Sequence, residues 1–139
     1  MTYEEKRRWL WRYQDSLRRE KELAEEVERL QSEATRITPL LSGMPGGAGD
    51  GQKLPRSVER IVQAKQELQE QIDLCTDIRG EIAEVIEQIT NYRDHEILRR
   101  RYILGQKWEE IAVEMHYTYQ HICNIHKAIV CNLILPGNS

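Results

Sequence analysis

Residues 93–133 read RDHEILRRRYILGQKWEEIAVEMHYTYQHICNIHKAIVCNL, and the fold turns on how this stretch is divided. Two short amphipathic segments, Trp108–Met115 and Tyr119–Ile129, flank a break at His116-Tyr117-Thr118. In the first, Ile111, Ala112 and Met115 fall at helical intervals, with Trp108 one turn before Ile111. In the second, Ile122, Ile125 and Ile129 recur at steps of three and four and share one face. The opposite face carries Tyr119, Gln120, Cys123, Asn124 and Lys127. Two helices joined by so short a turn predict a helix-turn-helix, in which one helix braces another that can enter a DNA major groove.

The outward side chains suit base edges better than catalysis. Gln120 and Asn124 can pair bidentately with adenine, and Tyr119 and Lys127 can reach phosphates or bases. Thr118 is the expected N-cap, at a helix end whose dipole favours phosphate. The DNA-binding candidates are therefore Thr118, Tyr119, Gln120, His121, Cys123, Asn124 and Lys127. The same spacing also fits a plain helical hairpin whose polar face is only solvated, and periodicity does not separate the two.

LRRRYILGQKWEEIAVEMHYTYQHICNIHKAI resembles the fourth region of bacterial primary sigma factors, which binds the upstream promoter hexamer. Trp108-Glu109-Glu110-Ile111-Ala112 matches the bracing helix of that pattern, and Thr118 matches its capping Ser. Tyr119, Gln120, Cys123 and Asn124 occupy the positions that contact bases in that family. The departures are specific. Tyr119, His121 and Cys123 stand where arginines are expected, which argues against the sigma hexamer as target. His116 replaces a turn Gly, and His is enriched at positive φ. Lys107 replaces a capping Thr, which weakens that helix start. The 139 residues leave no room for the regions that melt promoters, so a stand-alone sigma factor is not expected. Over nearly its full length it looks like the ArpU/RinA-like late transcription regulators of phages and prophages of Gram-positive bacteria. The SGMPGG stretch followed by the Trp-Glu-Glu-Ile-Ala helix carries that likeness. It implies sequence-specific DNA binding that activates late genes.

Composition sets outer bounds. The chain has 139 residues, enough for one or two small domains, with no Phe and 31% charged residues, as in long exposed helices. Net charge is −3, divided as zero over residues 1–40, −4 over 41–92 and +1 over 93–139. A reading module of charge +1 should bind DNA poorly at physiological salt unless it dimerises or has a partner such as host RNA polymerase. Three cysteines, Cys75, Cys123 and Cys131, lack framework spacing and point to a reducing cytoplasm. No signal or membrane-spanning segment is legible, so no membrane role is expected.

Upstream, the pattern predicts one long helix from Thr2 to Ile37, roughly 50 Å at the usual rise. Its later half carries Leu23, Val27, Leu30, Ala34 and Ile37 as a heptad seam. A second helix starts at Pro55 with Val58, Ile61, Leu68, Ile72, Cys75, Ile78, Ile82, Val85 and Ile89 as its stripe. Between them, residues 40–55 hold five Gly and two Pro, a loop and linker. It lacks the Gly-Lys-Ser/Thr ending and the preceding strand of a phosphate-binding loop. The expectation is an all-α chain: a coiled-coil-like antiparallel hairpin over 1–92, then a helix-turn-helix domain over 93–135. Two stripes of this length exceed what one hairpin hides, so homodimerisation through the long helices is expected. In the cluster EEKRRWLWRYQD, Trp9 and Tyr13 share a side and are expected to pack on the second helix or a dimer mate. Its basic and aromatic residues also fit nucleic-acid contact.

No nucleophile–base pair or paired-carboxylate pocket is legible, so no enzymatic activity and no cofactor are expected. His116, His121, Cys123, His126 and Cys131 lack zinc-knuckle spacing, so no metal is expected. Three functions fit. The first is a regulator that reads double-stranded DNA. The second is a small-terminase-like DNA-packaging adaptor, and the third a protein-only coiled-coil adaptor.

Overall fold

Thr2 and Glu5 close a reciprocal capping box at the amino end. The Glu5 amide donates to Thr2 Oγ1 at 3.2 Å, and the Thr2 amide to Glu5 Oε2 at 2.9 Å. From there α1 runs over Tyr3–Ser42. The computed structural model describes the backbone of residues 1–42 and 53–137 and the side chains of 1–36 and 55–137. Most of the Gly-rich stretch, and the side chain of Ile37 in the expected seam, lie outside those residues. Helix α2 covers Lys53–Glu87 and α3 covers Tyr92–Leu98, followed by a π-helical turn at Arg99–Ile103. Then come α4 (Trp108–Met115) and α5 (Tyr119–Asn132). Every regular element among the described residues is helical, as the sequence predicts.

Three boundaries differ from expectation. Helix α1 extends past Ile37 to Ser42, and α2 begins before Pro55. A proline in the first helical turn costs no hydrogen bond, because first-turn amides have no helical partner. The span expected as loop is thus helical at both its ends. Helix α5 runs three residues beyond Ile129, where the fully buried Val130 holds it and the Asn132 side chain bonds the Ala128 carbonyl at 3.0 Å.

Two units divide the chain, and they do not follow the expected boundary between residues 92 and 93. The first joins Met1–Ser16 to Cys75–Ser139; the second is Leu17–Leu74. The first unit owns the main core, in which Leu10, Ile82, Ile86, Ile97, Leu98, Ile111, Ile122 and Val130 are fully buried. Each such side chain contributes roughly 1.5–3 kcal/mol of transfer free energy. Trp9, Trp11 and Tyr13 pack half-buried on the same core. Arg12 bonds Glu81 at 2.5 Å, while Trp9, nearly one turn earlier, lies beside Glu84, Val85 and Gln88. The start of α1 and the end of α2 therefore run antiparallel here.

Gln14 ties α1 to the π-helical turn. Its amide donates to the carbonyls of Tyr102 and Ile103, both at 3.2 Å. That approach is open because residue 105 is glycine. Gly105 has φ +70°, and a Cβ there would meet Gln14 Oε1 at 2.6 Å.

In the second unit Leu23 and Val27 of α1 and Ala64 of α2 are buried, and Leu30 and Ala34 of the heptad seam are half-buried. Val58 and Val62 of α2 are 50% and 59% exposed, so an apolar stripe stays open on that helix. The surface carries short-range ion pairs: Arg29 reaches Glu26 at 2.5 Å and Glu33 at 2.6 Å, and Arg19 reaches Glu22 at 3.2 Å.

Candidate nucleic-acid interface

The geometry begins at the turn between α4 and α5. His116 takes the left-handed conformation, φ 64° and ψ 40°. The Tyr117 amide then reaches the Ala112 carbonyl at 2.9 Å, and the His116 amide the Val113 carbonyl at 3.3 Å. This paired closure ends α4 within one residue. Two residues later Thr118 starts α5 in extended conformation, its Oγ1 accepting from the His121 amide at 3.1 Å. Thr118 therefore caps as the sequence predicts. Lys107, by contrast, makes no side-chain cap at the start of α4.

On α5 the apolar pattern sorts the faces. Ile122, Ile125 and Ile129 are buried, and Thr118, Tyr119, Gln120, His121, Asn124 and Lys127 are exposed. Cys123 is half-buried. Hydrogen bonding to Cys123 raises the pKa of the exposed Tyr119 phenol. His121 meets the Tyr117 ring edge-on at 5.1 Å between centroids. The two amides of Gln120 and Asn124 lie one helical turn apart on this outer side.

Behind α5 lies a network that periodicity does not reveal. His126 is 2% exposed, and its Nε2 lies 2.6 Å from Tyr102 Oη and its Nδ1 3.4 Å from Tyr3 Oη. Burial, with the charges of Arg7 and Arg101, pushes the His126 pKa down to about 3, so the ring is neutral. Burial raises the pKa of Tyr102. A neutral imidazole satisfies both phenols when Nδ1 carries the proton toward Tyr3 and Nε2 accepts from Tyr102. The Trp108 ring completes the enclosure, 4.5 Å from His126. One histidine thus joins α1, the π-helical turn, α4 and α5.

A second cluster lies beside it. The Arg101 guanidinium sits between the rings of Trp11, at 4.4 Å, and Trp108, at 4.7 Å. Its Nη1 donates to the Gln106 carbonyl at 3.0 Å, and burial lowers its pKa. Arg7, Arg8, Trp11, Arg101 and Trp108 line a cleft of about 320 Å³ that also holds Glu4 and Asp15. Elsewhere in this unit Glu96 bonds Arg99 at 2.8 Å and Arg100 at 2.9 Å, and Arg100 also pairs with Glu114 of α4. The Arg99 hydrogen bonds, with the Arg100 charge, hold the buried Glu96 carboxyl below its usual range. This ion network links α3 to the bracing helix.

All seven predicted DNA-binding residues lie on the α4–α5 turn and α5. His126, Tyr102, Tyr3 and Arg101 were not predicted. His126 had one legible signal, since it lies four residues after Ile122 and three before Ile129 and so shares their face. The packing of Trp9 and Tyr13 is as expected, but onto the unit that contains α4 and α5. Among the described residues no three His, Cys, Asp or Glu side chains converge as a metal site, and no helix is long and apolar enough to cross a membrane. Comparison with family models, curated proteins and solved structures found no match to this chain.

Proposed function

We propose that this chain is a sequence-specific regulator of transcription that reads double-stranded DNA through α4 and α5. In this reading α4 and α5 form a helix-turn-helix like the fourth region of sigma factors, and the protein activates late genes of a phage or prophage in the bacterial cytoplasm. The observation that carries it is the pairing of exposed Gln120 and Asn124 on a helix whose other face is buried isoleucine. A reading helix must be held rigidly from behind while its amides stay open, and α5 meets both conditions. The long helices supply a homodimer contact, favoured by exposed Val58 and Val62. A dimer doubles the phosphate contacts and so offsets the weak charge of each module. Host RNA polymerase is the second partner.

Selection from random duplexes should enrich one motif. Gln120→Ala and Asn124→Ala should each flatten preference at one base pair, costing roughly 1–3 kcal/mol of discrimination. Recovery of no motif, or an unchanged motif in both variants, rejects the reading. Native mass separates the packaging alternative: a ring of many subunits favours the adaptor, a dimer the regulator.

A further inference from the structure

The Tyr3 ring has a cation from each of two helices beside it. Arg7 Cζ of α1 lies 5.5 Å from its centroid, and Lys127 Nζ of α5 lies 5.7 Å away. Arg7 and Arg8 line the cleft that Arg101 also enters. These four cations are only partly neutralised. Arg7 pairs with Glu4 at 3.2 Å, and Asp15 is the other carboxylate lining the cleft. Glu109 also acts on Arg101, but the hydrogen-bond acceptor of Arg101 is a backbone carbonyl. Arg8 is exposed and has no hydrogen-bond or ion-pair partner among the described residues.

The frame beneath them is firm. Leu10 is fully buried one turn after Lys6, and Lys6 Nζ donates to the Cys131 carbonyl of α5 at 3.0 Å. Arg101 is clamped between two indoles. Like charges held close on a rigid frame, with too few carboxylates, attract an anion. The charges run out of the cleft onto the exposed side of α5, where Lys127 follows Asn124 by three residues. A row of that kind fits a nucleic-acid backbone better than a single enclosed phosphate.

We infer that the first turns of α1 belong to the duplex interface. Arg7, Arg8, Arg101 and Lys127 take phosphates of one strand while α5 lies in the groove. This extends the DNA-binding reading and rests on it. It places phosphate contacts on α1 more than 110 residues away in sequence from the helix that reads bases.

The test measures affinity against salt for the full-length chain, on its selected duplex and on a random one. Arg8→Ala should weaken binding to both duplexes alike and reduce the log–log salt slope by about 0.9. The loss of affinity between 50 and 200 mM salt should then be about 3–4-fold smaller than in wild type. The selected motif should be unchanged, unlike that of Gln120→Ala. Arg8→Glu should weaken both duplexes further. A wild-type slope in Arg8→Ala, with motif-specific binding intact, overturns the α1 contact and leaves the regulator standing. Failure of the wild-type chain to bind any duplex overturns both.

Discussion

His116 shows how one backbone angle sets the relation of two helices. Its φ of 64° is the only positive value among the described non-glycine residues. A side chain in that region costs roughly 1–2 kcal/mol, and glycine escapes the cost while losing about 0.5–1 kcal/mol of extra chain entropy. His116→Gly should therefore leave stability unchanged or raise it by up to about 1 kcal/mol. His116→Val puts a β-branched residue in the same angle and should lower it by more than about 1 kcal/mol. Urea unfolding of the two variants checks this; a destabilised glycine variant contradicts the account. The break at this position was not legible in the apolar spacing, since Ile111 and Ile122 lie eleven residues, about three helical turns, apart; the capping residue Thr118 marked it. The angle itself was legible only through the sigma-like resemblance, since apolar periodicity carries no information about φ.

At the scale of elements, α4, α5 and the cap at Thr118 could be read directly, because local spacing and capping chemistry define them. The histidine that locks them together could not. A buried imidazole needs phenol partners, and Tyr102 and Tyr3 lie 24 and 123 residues away in sequence. Its pH dependence is the measurable consequence. An unfolded histidine titrates near 6.5, while His126 is held neutral down to about 3. A depressed folded pKa means stability is fully present above pH 6.5 and is lost as the pH falls, because only the unfolded chain takes up the proton. Between pH 6.5 and 4.5 the loss from His126 should reach about 2–3 kcal/mol. His126→Gln keeps an amide for the phenols and removes the titration, so its unfolding free energy should fall less across that window. Equal slopes in the two proteins would show that His126 does not hold the elements together as a neutral ring.

The whole molecule departs most from its sequence pattern at the unit boundary. The long first helix reads as one element, and a heptad seam is its most regular feature. Yet its first fourteen residues, to Ser16, join the unit that contains α3, α4 and α5, and the heptad residues belong to the other. A faint signal was present. The stripe is irregular through Leu10, Tyr13 and Leu17, where the tryptophans cluster, and becomes regular only at Leu23. Helical periodicity shows that a face is buried but not against which element, so a continuous helix hides a change of partner. The consequence concerns a fragment that starts where the sequence alone starts its second domain (93–135) and runs to the last residue, 93–139. Cutting there removes Leu10, Ile78, Ile82, Val85 and Ile86 from the core. At roughly 1.5–3 kcal/mol each, their burial is comparable to the ~5–15 kcal/mol by which whole domains are stable. The fragment should then show no cooperative thermal transition and poor amide dispersion in its NMR spectrum, whereas the full-length chain unfolds cooperatively. A well-dispersed, cooperatively melting 93–139 fragment would mean that α3, α4 and α5 hold their own core, with the start of α1 and the end of α2 merely laid against it.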